Sequence, residues 1–244
     1  MENLLELDKV VKRFGGLIAI DNVSFSVNPG EIVGLIGPNG AGKTTLLNVI
    51  TGVYKPDKGA VKFNGEDITG RSPWYICRKG IARTFQIVRV FPDMTCIDNV
   101  VAGLIFGKTR KTSIEEARKR AIKILELLGF RREGNTIAGK LNVVEAKCIE
   151  LARALATEPT LLLLDEIFAG LNPKESLDMV ERIKKIKKDF KITIIMVEHI
   201  MRIVMDLSTK IVVLHHGKKL AEGKPQEVAN NDKVIEAYLG AKYF

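Results

Sequence analysis

Residues 34–45, Gly-Leu-Ile-Gly-Pro-Asn-Gly-Ala-Gly-Lys-Thr-Thr, carry the phosphate-binding pattern G-x-x-x-x-G-K-[ST] between Gly37 and Thr44. A strand must precede such a loop and a helix must follow it. Glu31–Ile36 reads as a buried strand, and Thr44–Val53 as a helix start with apolar spacing. Successive backbone N–H groups of the loop can turn inward around phosphate oxygens. The helix adds about half a positive charge at its N-terminus. The expected phosphate-binding set is Gly37, Pro38, Asn39, Gly40, Ala41, Gly42, Lys43, Thr44 and Thr45. Lys43 can reach the β- and γ-phosphates, and the Thr44 hydroxyl can hold Mg²⁺. The pattern therefore implies a nucleoside triphosphate site.

A second constraint lies at Leu161-Leu162-Leu163-Leu164-Asp165-Glu166. Two acids directly after a continuously apolar strand fall at the carboxyl edge of a parallel sheet, where α/β folds bind ligands. An acid there is costly unless paired or near a cation. The expected partner of Asp165 is the Mg²⁺ of the nucleotide, and Glu166 is placed to orient or deprotonate water.

The remaining pattern fits these two signals. Val23–Val27 and Val61–Phe63 alternate apolar and polar residues between the turns Asn28-Pro29-Gly30 and Asn64-Gly65, as in an antiparallel sheet with one wet face. From Arg83 to Leu141 the periodicity turns helical. Ser113–Leu128 opens on a capping Ser and an acidic first turn. Asn142–Thr157 is a further expected helix. Ile192–Val197 reads as a second buried strand, and Ile211–Leu214 with Lys218–Ala221 as a hairpin around His215-His216-Gly217, read as structural. The expected class is α/β: a P-loop NTPase with a doubly wound, mostly parallel sheet, an N-terminal antiparallel β subdomain and an inserted helical subdomain. The expected segments are 1–85 for the nucleotide-binding core, 86–157 for the helical subdomain and 158–244 for the rest of the core with the C-terminal tail.

With 244 residues and a net charge of +9, the chain is long enough for a sizeable core. Its charge fits either nucleic acid or an anionic membrane leaflet. The basic clusters at Arg110–Lys111, Arg118–Arg120, Arg131–Arg132 and Lys184–Lys188 are modest; the last reads as the solvated face of a helix that also carries Glu175, Glu181, Leu177, Val180 and Ile183. No apolar run approaches the roughly 18 residues of a membrane span, and the N-terminal stretch lacks the form of a signal peptide. Cys77, Cys96 and Cys148 lack metal-like spacing and read as free thiols of a reducing compartment.

The order of these motifs resembles the ATP-binding subunits of ATP-binding-cassette (ABC) proteins over essentially the whole length. Gln86 in Arg-Thr-Phe-Gln, the helix ending Ala-Arg-Ala-Leu-Ala (152–156) and His199 in Met-Val-Glu-His carry the resemblance beside the phosphate loop and the acidic strand. It implies that Gln86 touches Mg²⁺ and the attacking water, that His199 contacts the γ-phosphate, and that Phe14 stacks on adenine. It also implies ATP and Mg²⁺ as cofactors, membrane permease subunits as partners, and no nucleic-acid partner. The chain would then lie in the cytoplasm, peripheral on the inner face of the membrane, with the transported substrate touched only by other subunits. The surface beside Gln86, including Arg89, Phe91, Pro92 and Met94, would receive a helix of the membrane subunits.

One stretch departs from the family. Where Leu-Ser-Gly-Gly-Gln is usual, this chain has Leu141-Asn142-Val143-Val144-Glu145. In the family this signature seals the ATP of a partner subunit packed head to tail. Asn142 can still cap the helix, but Val143 and Val144 put bulk where glycine allows backbone to meet phosphate, and Glu145 adds a negative charge. A heterodimer with a second, non-identical ATPase is therefore favoured over a homodimer. Three stretches, Phe168–Glu175, the residues after His199 and Val234–Gly240, resemble the ATPases of branched-chain amino-acid importers. Lipopolysaccharide-export-type and urea or amide transporters are alternatives, as is a soluble cassette ATPase acting on nucleic acid.

Overall fold

The computed structural model describes residues 3–107 and 113–239. The basic pair Arg110–Lys111 and Gly240 lie outside the described residues. In chain order the elements are β1 (Leu5–Phe14), β2 (Leu17–Val27), β3 (Ile32–Ile36), α1 (Lys43–Ile50), β4 (Lys58–Phe63), β5 (Glu66–Asp67), α2 (Pro73–Lys79), β6 (Ile81–Arg83), α3 (Cys96–Phe106), α4 (Ile114–Leu127), α5 (Val143–Ala156), β7 (Leu161–Asp165), α6 (Pro173–Phe190), β8 (Thr193–Val197), α7 (Met201–Leu207), β9 (Lys210–His215), β10 (Lys218–Gly223), α8 (Pro225–Ala229) and α9 (Asp232–Leu239). The chain forms two compact units, one of residues 1–76 and 193–244, the other of 77–192.

The first unit holds two kinds of strand pairing. The alternating segments pair antiparallel in the order β2-β1-β4-β5. The continuously apolar segments pair in parallel: β3 lies between β8 and β9, with Leu35 opposite both Val197 and Val212. All five residues of β3 and of β8 are buried, which is why neither shows alternation. The hairpin β9–β10 closes this sheet antiparallel. Helix α1 buries Leu46, Leu47, Val49 and Ile50 and stops three residues short of the expected Val53. Gly52 takes a φ of 73° there, a left-handed value that ends helices.

The second unit pairs β6 with β7 in parallel, Arg83 opposite Leu163. Helices α3, α4 and α5 pack on one another, with Ala117, Ala121, Leu151 and Leu155 buried. Ser113 caps α4 by accepting from the Glu116 N–H, as its position before an acidic first turn predicts. On α6, Val180 and Ile183 are buried, while Leu177 is 63% exposed and belongs to the solvated face. No described helix is long and apolar enough to cross a membrane. The three cysteines are free; burial pushes the Cys148 thiol up to about 11, so it stays protonated at neutral pH.

Candidate functional site

In the first unit the phosphate loop joins β3 to α1. Two of its glycines are dictated by space. Gly37 has a φ of 150°, and a Cβ on it would lie 2.1 Å from the Leu214 carbonyl oxygen. Gly42, the N-cap of α1, has a φ of 100°, and its Cβ would lie 2.5 Å from the Ala19 carbonyl oxygen. Among the described residues no side chain caps α1 and no acid sits in its first turn. That is the arrangement an anion requires. Lys43 is buried, and its ammonium donates to the Gly37 and Pro38 carbonyls at 2.7 and 2.9 Å. Asn39, Gly40 and Thr44 are exposed, Pro38 and Thr45 are half-buried, and Ala41 is buried.

The turn His215-His216-Gly217, read as structural, braces this loop. Gly217 N–H donates to Ala41 O at 3.1 Å, and Asp21 N–H donates to Gly217 O at 2.8 Å. The brace depends on a contact some 176 residues distant in sequence, which no local pattern signals. Burial raises the Tyr238 phenol, opposed by a hydrogen bond from the Gly37 backbone. Phe14, at the end of β1, is 42% exposed rather than a core aromatic. It meets Tyr54 edge-on with ring centroids 5.1 Å apart, and Lys12 lies 5.5 Å from its centroid. His199 is exposed and follows β8 and the buried Glu198. The parallel register of β3 with β8 brings the ends of both strands, and so Gly37 and His199, to the same edge of the sheet.

In the second unit Asp165 ends β7 and is buried. Its Oδ2 accepts from Arg83 Nη2 at 2.6 Å, and its backbone N–H donates to Thr84 Oγ1 at 3.3 Å. Its Oδ1 is buried with no hydrogen-bond partner among the described residues. The next residue, Glu166, takes a φ of 50°, a left-handed value that costs a non-glycine residue roughly 1–3 kcal/mol and clusters at functional sites. Gln86 Nε2 donates to Glu166 Oε2 at 2.8 Å, so the structure joins two of the predicted catalytic residues directly. Lys147, which the sequence did not single out, is buried and donates to the Glu166 and Ile167 carbonyls at 3.1 and 2.9 Å. It fixes the turn that carries Glu166.

The departing signature opens α5. Asn142 caps the helix as expected, accepting from the Glu145 N–H at 2.9 Å, while Glu145 Oε2 accepts from the Asn142 N–H at 3.0 Å. Glu145 Oε1 is also held by Arg132 Nε at 2.6 Å. The carboxylate is thus bound within the chain, and Val143 is 57% exposed.

Beside Gln86 the segment 87–94 exposes apolar side chains, Ile87 at 80% among them. Buried Glu150 anchors it, accepting from the Arg89 and Phe85 N–H groups at 2.9 and 3.3 Å. Burial raises the Glu150 carboxyl from its ordinary 4.5, opposed by those two hydrogen bonds. Because the folded value lies above the unfolded one, its contribution to stability is whole below pH 4.5 and shrinks as pH rises through the raised value. Glu150→Gln should therefore cost less stability at pH 7 than at pH 4.5, as measured by urea unfolding at both.

Residues 20–169 match the family model described as "ABC transporter". Residues 218–243 match one described as "Branched-chain amino acid ATP-binding cassette transporter". The high-affinity branched-chain amino acid transport ATP-binding protein BraF of Pseudomonas aeruginosa is 40% identical, the match covering 97% of this chain and 98% of that protein. LivG of Escherichia coli K12, which carries the same description, is 41% identical over the same shares. A crystal structure of a nucleotide-free ATP-binding cassette from an ABC transporter is 36% identical and covers 98% of this chain and 100% of its own, with a TM-score of 0.88.

Proposed function

The chain is a member of the ABC transporter family of ATPases, and from that premise we propose that it hydrolyses ATP to power an importer of branched-chain amino acids. The observation that carries the reading is Glu166, held by Gln86 directly after the buried Asp165. The names of the relatives and the match at residues 218–243 support the substrate class.

The phosphates are assigned to residues 37–45, with the α1 N–H groups and the Lys43 ammonium offsetting their charge. Phe14 offers an exposed ring for adenine. The unpartnered, buried Oδ1 of Asp165 is an oxygen that a cation fits. Mg²⁺ binds through one or two carboxylates together with nucleotide phosphates, so a single such oxygen is enough. Asp165, Thr44 and Gln86 would hold it, and when bound it supplies neutralisation of phosphate charge.

Glu166 accepts a proton from water as the water oxygen attacks the γ-phosphorus. The bond from that phosphorus to the β–γ bridging oxygen breaks, giving ADP and phosphate. Gln86 keeps the Glu166 carboxylate oriented, and His199 is assigned to the γ-phosphate. The helical segment 86–157 is assigned to coupling, with Ile87, Phe91 and Met94 as the exposed apolar surface for a membrane-subunit helix. The chain then acts peripherally at the cytoplasmic face of the membrane, beside a second ATPase. Gentle solubilisation of membranes carrying a tagged chain should recover two integral membrane proteins and a second ATPase. Recovery only in the soluble fraction, or with nucleic acid, would overturn the transport reading.

A further inference from the structure

The carboxylate assigned to the metal is shared with a second cation. Arg83 and Asp165 form an ion pair at 2.6 Å, with side chains only 5% and 2% exposed. The pair divides the carboxylate: Oδ2 accepts from the guanidinium, and Oδ1 has no hydrogen-bond partner among the described residues. From this division we propose that Arg83 is a positioning residue for the metal, reserving Oδ2 so that Asp165 presents Oδ1 alone. The inference rests on the reading of Asp165 as the magnesium carboxylate.

The chemistry favours such a device. Mg²⁺ demands near-octahedral geometry at short distances and keeps several waters, whereas Ca²⁺ accepts carboxylates in a bidentate mode within a looser shell. A carboxylate with both oxygens open could take either cation. One whose second oxygen is held by a guanidinium is confined to a single metal bond, which suits Mg²⁺. Arg83 is itself fixed in place. It lies on β6 opposite Leu163 of β7, and its guanidinium lies 5.2 Å from the Phe85 ring centroid. Arg89 lies 4.8 Å from the same ring, and the backbones of Phe85 and Arg89 are both tied to Glu150. The orientation of Asp165 is thereby linked to the segment that carries Ile87, Phe91 and Met94.

The test is nucleotide affinity rather than turnover. ATP binding is titrated in EDTA, in Mg²⁺ and in Ca²⁺ for the unsubstituted chain and for Arg83→Met. Loss of a group that orients a metal ligand typically costs about 10–100-fold in metal affinity. Arg83→Met should therefore lose most of the gain in ATP affinity that Mg²⁺ gives, narrow the preference for Mg²⁺ over Ca²⁺, and leave affinity in EDTA unchanged. An undiminished Mg²⁺ gain in Arg83→Met would overturn the proposal. Should that variant not fold, Arg83→Gln decides, because the shorter neutral amide keeps a polar group on β6 but removes the guanidinium that holds Oδ2. A reduced Mg²⁺ gain supports the proposal, and one equal to the parent's refutes it. Failure of the underlying reading shows differently: Asp165→Asn would then keep the whole Mg²⁺ gain, and the proposal would fall with it.

Discussion

Glu166→Gln should bind ATP as tightly as the parent chain while its turnover falls by roughly 10²–10⁴-fold, the usual worth of a positioned general base. The amide preserves size and can still accept a hydrogen bond from Gln86, which donates to Glu166 Oε2 at 2.8 Å. What it cannot do is accept the proton of the attacking water. The left-handed backbone at Glu166 and the Lys147 bonds to the Glu166 and Ile167 carbonyls are main-chain features that the substitution leaves in place. Equilibrium nucleotide binding and steady-state phosphate release separate the two effects. Substantial hydrolysis by the variant would move the base role elsewhere, with His199 next in line. Lys43→Ala should behave in the opposite sense, losing nucleotide binding itself, because the ammonium spans the loop carbonyls where phosphate is assigned.

Restoring the usual signature should raise the hydrolysis rate of the purified chain on its own by about a hundredfold, the typical effect of one well-placed donor to developing charge. The variant is Asn142→Ser with Val143→Gly and Val144→Gly. The N-terminus of α5 is closed by the reciprocal Asn142–Glu145 cap, and Arg132 holds the same carboxylate. A phosphate from a partner subunit would meet that carboxylate and the exposed Val143 instead of glycine backbone. The Glu145 charge is more contained than the sequence implies, since Arg132 offsets it, but it still occupies the helix end that an anion would use. Glycines in the first turn cost up to about 1 kcal/mol each, so the rate is compared at a temperature where both proteins are folded. An unchanged rate would mean that the divergent signature is tolerated, and would remove the case for asymmetric pairing with a second ATPase.

What the sequence disclosed and what it hid follow from distance along the chain. The phosphate loop is twelve adjacent residues in a strand–loop–helix context, and backbone atoms leave no room for a side chain at Gly37 and Gly42. The caps at Ser113 and Asn142 were legible for the same reason, since each acts on a residue three positions on. The pairing of Arg83 with Asp165 spans 82 residues; Lys147 acts across 19 and 20 residues. Neither has periodicity or spacing to betray it. The acids directly after the four-Leu strand, with the phosphate loop upstream, could place Asp165, but only the fold shows which of its oxygens is already held.

The central claim is that ATP hydrolysis by this chain powers uptake of branched-chain amino acids. Initial uptake of labelled leucine, isoleucine and valine is measured in cells lacking the chain, then with the parent chain or Glu166→Gln restored at equal abundance. The parent should restore high-affinity uptake, and Glu166→Gln should not. Full restoration by Glu166→Gln, or uptake unaffected by loss of the chain, would contradict it.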